Sequence, residues 1–381
     1  MSTTDSDSKT ARCIFLIAGE ASGDLYGGML VEALLEKDPT LQIMAWGGDH
    51  MERAGAQVLR HYKTMAFMGF LEVIKNAGTI RALFKECERA MVQYKPAVFV
   101  GIDYPGFNLK MAKKATAKGI ATHHYISPSL WAWNKKRVHI IRKYIDQLHV
   151  ILPFEEKWFA ENNLKVNWVG HPLLELQNGE IPTDQKLEQD KAVLALIPGS
   201  RKQEIQRMLP LYLAVAERLP MFRAVIAGAP GLDPEHYQMA IDQGVEIRFG
   251  ATRDLMKSAD IGLITSGTAT LEAALLNLPQ IICYKTSGLT YHIARAVAQT
   301  SWIGLPNILL QKSIVPERIQ QNCTQEQLIS DIQQMHDGCN LSSVGIEQIK
   351  EVENLRYQLQ GPDKPSKLVA QAILNQSPRN A

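Results

Sequence analysis

An acid at the end of a buried strand can take a proton from an attacking hydroxyl. Asp103 stands in such a run, Gly101-Ile102-Asp103-Tyr104-Pro105-Gly106-Phe107-Asn108, where Pro105 and Gly106 turn the chain sharply. The same position suits the N-cap of a following helix, and spacing alone does not separate the two roles. A second loop, Gly19-Glu20-Ala21-Ser22-Gly23-Asp24, also lies between a strand and a helix. Its glycines allow tight geometry, Ser22 or Asp24 can cap the helix, and the helix N-terminus can hold an anion. It is not GxGxxG, so a dinucleotide fingerprint is missing where one would stand.

Two further loops have phosphate chemistry. In Pro198-Gly199-Ser200-Arg201-Lys202-Gln203-Glu204 the arginine offers a planar fork to a diphosphate. Glu204 can pin that arginine, whether it binds a ligand or only faces solvent. Thr265-Ser266-Gly267-Thr268-Ala269-Thr270-Leu271-Glu272 is the most specific run. Small hydroxyl residues open a helix there, and amides at a helix N-terminus cradle phosphate. Glu272, one turn in, is placed to meet ribose hydroxyls. A capping box fails here, because Thr268 pairs with Leu271 and Ala269 lacks a hydroxyl.

These loops need strands to hold them. Apolar runs at 12–18, 41–48, 97–103, 120–127 and 147–153 alternate with helix-like segments. The run at 97–103 is continuously apolar, as in a parallel sheet covered on both faces. A polar, acidic stretch at 173–190 reads as a linker. A second series follows at 191–201, 222–230, 245–250, 259–267 and 279–285. The pattern predicts an α/β chain with two Rossmann-like domains, 12–172 and 191–340, facing a cleft, then C-terminal helices over 341–381. Residues 1–11 read as a disordered tail. Ligands bind beyond the carboxyl ends of such strands, which is where the four loops fall.

The chain has 381 residues, 46% hydrophobic and 21% charged, which excludes disorder, collagen and coiled coil. Its formal charge of +2 argues against a general nucleic-acid binder. The sum hides an acid-free span between Asp103 and Asp146 that holds Lys110, Lys113, Lys114, Lys118, Lys135, Lys136, Arg137, Arg142 and Lys143. Five scattered cysteines with no CxxC fit a reducing compartment. The polar start is no signal peptide, and no run of 18 apolar residues would span a membrane. His123 and His124 point to opposite faces of a strand and cannot chelate one ion together. Trp131 and Trp133 beside Lys135-Lys136-Arg137 read as a cleft wall with a solvated basic face. Within residues 65–85, Phe67, Met68, Phe70, Leu71 and Ile74 form an amphipathic stripe, followed by Lys75 and Arg81. Such a stripe packs into a core or lies on a membrane surface.

Six motifs, GEASGD, GIDYPGFN, YISPSLWAW, VGHPLLE, LIPGSR and SGTATLEAALLNLP, occur in the order found in the lipid-A-disaccharide synthases, so the chain resembles that family from about residue 12 to 320. The resemblance implies the B-type glycosyltransferase fold. It also implies a reaction: UDP-2,3-diacylglucosamine plus 2,3-diacylglucosamine 1-phosphate (lipid X) gives a β(1→6) disaccharide 1-phosphate and UDP. By resemblance Asp103 is the base, and Arg201 and Glu204 with Ser266–Glu272 hold UDP. Glu20, Ser22, Gly23 and Asp24 form the acceptor-side loop, and Asn307 is a further cleft residue on the acceptor side. Tyr104 and Gly106 depart from the family, which more often has a small residue and an Asp there. Asp103 is thus the only acid in its loop. The implied enzyme needs no cofactor or metal, the UDP-sugar being a substrate, and works at the cytoplasmic face of the inner membrane of Gram-negative bacteria. A homodimer is expected from late helices with no obvious core to cover. The rival readings are a UDP-N-acetylglucosamine 2-epimerase, another B-type UDP-sugar enzyme, and a non-catalytic UDP-sugar-binding protein.

Overall fold

The computed structural model describes residues 12–65, 77–132, 135–177, 191–288, 291, 295 and 300–377. Contacts divide the chain into two units, one of residues 1–172 with 361–381 and one of residues 173–360.

In the first unit, β1 (Cys13–Ala18), β2 (Gln42–Gly47), β3 (Gln57–His61), β4 (Val98–Ile102), β5 (Ala121–Tyr125), β6 (Gln147–Val150) and β7 (Asn167–Trp168) form a parallel sheet. Its order is β3-β2-β1-β4-β5-β6-β7. The helices are α1 (Ala21–Lys37), α2 (Asp49–Arg53), α3 (Ala77–Tyr94), α4 (Pro105–Thr116), α5 (Val138–Tyr144) and α6 (Pro153–Glu161). Every residue of β1, β4 and β5 is buried, which is why these strands read as unbroken apolar runs. The sequence pattern missed β3 and β7. Both are edge strands without a continuous apolar run.

The second unit repeats the plan. β8 (Ala192–Ile197), β9 (Phe222–Gly228), β10 (Glu246–Phe249), β11 (Ile261–Thr265), β12 (Gln280–Tyr284) and β13 (Glu317–Ile319) are parallel, in the order β10-β9-β8-β11-β12-β13. Its helices are α7 (Lys202–Glu217), α8 (Gln238–Asp242), α9 (Thr252–Ser258), α10 (Thr268–Leu275), α11 (Leu305–Leu310), α12 (Gln325–Met335) and α13 (Ser343–Leu359). Alternation along β8 shows both faces covered. Leu194 and Leu196 enter one core with Tyr212 and Ile226, while Val193, Ala195 and Ile197 enter another with Leu255 and Ala273.

The C-terminal helices do not form a segment of their own, as 341–381 was expected to do. Helix α13 stays in the second unit, against α10 and α11. The last helix, α14 (Pro365–Leu374), returns to the first unit and packs on α1. Val369, Ala370 and Ile373 are fully buried. The Arg12 guanidinium donates to the carbonyls of Leu374 (2.7 Å), Ile373 (3.1 Å) and Gln376 (2.8 Å) at the C-terminal end of the helix. These helices have cores to cover, which removes the ground for expecting a dimer.

Candidate functional sites at two switch points

In each sheet the strand order reverses once, between β1 and β4 and between β8 and β11, and a doubly wound sheet binds its ligand at such a point. The four loops singled out in the sequence follow these four strands. The fold thus brings them together in pairs, one pair per unit.

In the first unit, Asp103 and Tyr104 both adopt left-handed backbone (φ +45° and +47°) directly after β4. Two such non-glycine residues cost on the order of 1–3 kcal/mol each. The N-cap of α4 is Tyr104, with Pro105 opening the helix, so Asp103 is not its capping residue. Contacts from three residues hold the loop. The Asp103 amide donates to the Tyr125 carbonyl (2.9 Å). The Tyr104 hydroxyl donates to the Met65 carbonyl (2.9 Å), and its ring stacks on Phe107. Asn108, fully buried, donates through Nδ2 to the Asp103 carbonyl (2.7 Å) and those of Ile17 (3.2 Å) and Ile102 (3.3 Å). Asn108 lay inside the quoted motif, but nothing in its spacing marked it.

The β1 loop abuts this one. A Cβ on Gly19 would sit 2.3 Å from the Tyr104 ring, so only glycine lets that ring lie over the loop. Glu20 is the N-cap of α1, in extended backbone, without a side-chain cap bond. Ser22 is half-buried in the first turn, and Gly23 packs against Ala18. Asp24 departs from expectation. It does not cap α1, whose N-cap is Glu20. It is buried, and its carboxylate accepts from the amides of Gly48 (2.7 Å), His50 (3.0 Å) and Met51 (3.2 Å), closing the start of α2.

His123, His124, His149 and His171 are all buried. Burial holds His123 and His124 down to about 4, His171 to about 3, and His149 well below the usual range. His123 and His124 do face opposite ways. His123 meets His149 (3.0 Å) and Gln376 (3.3 Å), while His124 lies by Gly101. Among the described residues no three His, Cys, Asp or Glu side chains converge as metal ligands would. Glu155, unmarked in the sequence, is raised to about 7 by burial, partly held back by the amides of Leu152 and Ile151.

In the second unit, Gly199 has φ +116°, and a Cβ there would meet Glu204 Oε2 at 2.4 Å. That oxygen accepts from the amides of Ser200 (3.0 Å) and Arg201 (3.3 Å), while Oε1 pairs with the Arg201 guanidinium (3.1 Å). Glu204, expected at the UDP site, thus orders the loop that presents Arg201. Arg201 stays 44% exposed at its side chain, accessible to an anion.

Helix α10 starts after Gly267, its N-cap, with no side-chain cap. The Ser266 hydroxyl donates to the Ile303 carbonyl (3.1 Å) and Thr270 to the Gly267 carbonyl (2.8 Å). Hydroxyls so used shape the turn. The amides of Thr268 and Ala269 open the helix, where no intrahelical carbonyl can meet them. A Cβ on Gly267 would find open space. Glu272 Oε1 pairs with Arg253 (2.9 Å), which also donates to the Leu176 carbonyl (3.2 Å). Arg253 was not legible as a partner, because it comes from another helix.

Asn307 is corrected on two counts. It belongs to the second unit, and its amide is saturated. Nδ2 donates to the Val315 carbonyl (2.8 Å) and Glu317 Oε1 (2.9 Å), while Oδ1 accepts from the amides of Ile314 and Val315 (both 2.9 Å). Glu317, also unforeseen, accepts from the amides of Ile303 and Gly304 and so fixes the segment that Ser266 touches.

Of the membrane-facing candidates, Phe67, Met68, Phe70, Leu71, Ile74 and Lys75 lie outside the described residues, as does Trp133. Arg81 is exposed on α3, with Lys85 and Arg89 at successive fourth positions beyond it. Lys114 on α4 and Lys118 in the turn after it pair with Glu88, while Lys113 and Lys143 both lie over the Tyr144 ring. No helix among the described residues is long and apolar enough to cross a membrane.

Two Rossmann-ordered sheets, each with its marked loops at the switch point, make up the fold shared by B-type glycosyltransferases and UDP-sugar epimerases. Solved structures share the fold: the glycotransferase of kitacinnamycin (TM-score 0.62, 12% identity, 97% of this chain and 99% of that one) and the UDP-GlcNAc 2-epimerase of Neisseria meningitidis (0.59, 13%, 96% and 100%). The family model for lipid-A-disaccharide synthetase matches residues 14–364. The lipid-A-disaccharide synthase of Syntrophus aciditrophicus (strain SB) is 36% identical over 335 residues, 84% of this chain and 88% of that protein. That of Francisella tularensis subsp. tularensis (strain WY96-3418) is 36% identical over 357 residues, 89% and 93%. The chain belongs to the lipid-A-disaccharide synthase family, and its reaction is the glycosyl transfer that forms the lipid A disaccharide.

Proposed function

We propose that Asp103 is the base of this transfer and that the second unit binds the UDP-sugar. The observation that carries the reading is the left-handed Asp103 at the β1/β4 switch point, beside a glycine-opened loop. The Asp103 carboxylate takes the proton of the acceptor's 6-hydroxyl as that oxygen attacks the anomeric carbon. The bond from that carbon to the UDP oxygen breaks, and its electron pair leaves with the diphosphate. One displacement turns the α-linked donor into a β-linked product. Arg201 and the first amides of α10 oppose the charge that grows on the diphosphate. Arg253 orients Glu272 for the ribose. The UDP-sugar is consumed as substrate, and the reading needs no resident cofactor.

The acyl chains of both sugars suit a reaction at a bilayer, which this reading puts at the inner face of the inner membrane. The exposed cations Arg81, Lys85 and Arg89, with the apolar sequence stripe before them, suit an anionic lipid surface. Incubation with UDP-2,3-diacylglucosamine and lipid X tests the reading. UDP and a tetraacyl disaccharide 1-phosphate must appear together by mass spectrometry. Recovery of an isomerised UDP-sugar, or binding without turnover, would overturn it.

A further inference from the structure

We infer that Asn108 is the positioning residue for Asp103, an inference that rests on Asp103 being the base. The buried Asn108 amide donates to three carbonyls, those of Ile17 at the end of β1 and of Ile102 and Asp103 at the end of β4. It therefore spans the switch point from beneath. The shortest of the three bonds, 2.7 Å, ends on Asp103 itself. An ordinary turn could lead from β4 into a helix that opens with proline. This chain instead carries two strained residues in succession, and such strain persists only where the surroundings over-determine it.

Asn108 is itself confined. A Cβ on Gly101 would lie 2.8 Å from Asn108 Cβ and 3.0 Å from His124 Nδ1, so Gly101 leaves the space that those two side chains fill. The amide has one workable orientation. Its NH2 must face the three carbonyls, because an oxygen there would meet only acceptors. Without Asn108 the bond to the Asp103 carbonyl is lost and the backbone can relax out of the left-handed region. The carboxylate then moves with it, and a displacement near 1 Å costs about 10²-fold in rate.

Asn108→Ala and Asn108→Asp are compared with the parent protein by steady-state UDP release. The expected result is a fall in kcat of about 10²-fold with KM for the UDP-sugar within about twofold, since the donor is held by the other unit. Asn108→Asp adds a signature that general loosening lacks. Its ionised carboxylate repels the carbonyls, whereas its protonated form donates one hydrogen. Its activity relative to the parent must therefore rise as pH is lowered from 8.5 to 6. A kcat within threefold of the parent, or a raised KM with kcat unchanged, would overturn the inference. Should Asn108→Asp fail to fold, Gly101→Ala presses on the same side chain and must show the same kcat-only loss. Asp103→Asn, run alongside, separates the two readings. If it stays active, the base assignment fails. Positioning is then judged from a crystal structure of Asn108→Ala, where retained left-handed backbone at residues 103 and 104 would sink it.

Discussion

Replacing Gly19 by alanine tests the contact that joins the β1 and β4 loops. The added methyl would sit 2.3–2.6 Å from three atoms of the Tyr104 ring. The ring cannot easily yield, because its hydroxyl donates to the Met65 carbonyl and its face stacks on Phe107. Overpacking of this kind costs about 1–3 kcal/mol. Escape by moving the ring gives up a stacking pair of about 0.5–1.5 kcal/mol and a hydrogen bond of about 0.5–1.5 kcal/mol. Both routes give the same order, near 2 kcal/mol. For a unit of this size each kcal/mol lowers Tm by about 2–4 °C. Displacing Tyr104 also drags Asp103, its neighbour in the chain, so kcat should fall by about 10²-fold. The decisive assay is the double-mutant cycle. Tyr104→Ala removes the obstructing ring, so Gly19→Ala should cost almost nothing in that background, leaving a coupling energy of about 1–3 kcal/mol. Thermal unfolding and UDP release are measured on all four proteins. Additive losses, or a Gly19→Ala protein with parental Tm and kcat, would refute the reasoning.

Asp103→Asn should lower kcat by 10²–10⁴-fold and leave UDP affinity, read by calorimetry, unchanged. Arg201→Lys removes the planar fork and should weaken UDP binding by roughly tenfold; equal affinity would place the diphosphate elsewhere. Deleting residues 361–381 uncovers α1 and leaves Arg12 without its carbonyls, so the first unit should lose about 4 kcal/mol through Val369 and Ile373 alone, seen as an earlier melting step. Stability should fall in acid, because the buried histidines stay neutral when folded and take up protons once unfolded. The loss begins near pH 6.5 and grows until about pH 4, where His123 and His124 also charge in the folded state; each contributes up to about 1.4 kcal/mol per pH unit, checked by urea midpoints across that range. Glu155 runs the other way. Its carboxyl is raised to about 7, so its stabilisation is complete below about pH 4.5 and lost as pH rises through 7, and Glu155→Gln should stabilise the protein at pH 8.

The sheets were legible because their central strands are buried on both faces and announce themselves as apolar runs. The four loops were legible for a related reason: each interrupts such a run with glycine, hydroxyl or charge where the strand ends. What the individual side chains do there was harder to read. Asp24, Glu204 and Asn307 carry the chemistry of ligand groups, yet each serves backbone amides. For Asp24 those amides lie more than twenty residues away, a distance that local spacing cannot encode. Glu317 and Arg253 act through partners on other elements and left no local signal. Asn108 sat in plain view five residues after Asp103, but its role depends on β1 lying beside β4, which is a fact of topology.

The return of α14 to α1 has a consequence for synthesis. The first unit is completed by residues that leave the ribosome only after the whole second unit has been made. At 5–20 residues per second, that interval is roughly 10–40 s. Throughout it, the surface of α1 that α14 later covers has no partner from its own chain. The second unit, made of one continuous stretch, has no such wait, so the part of the protein made first is the last to be finished.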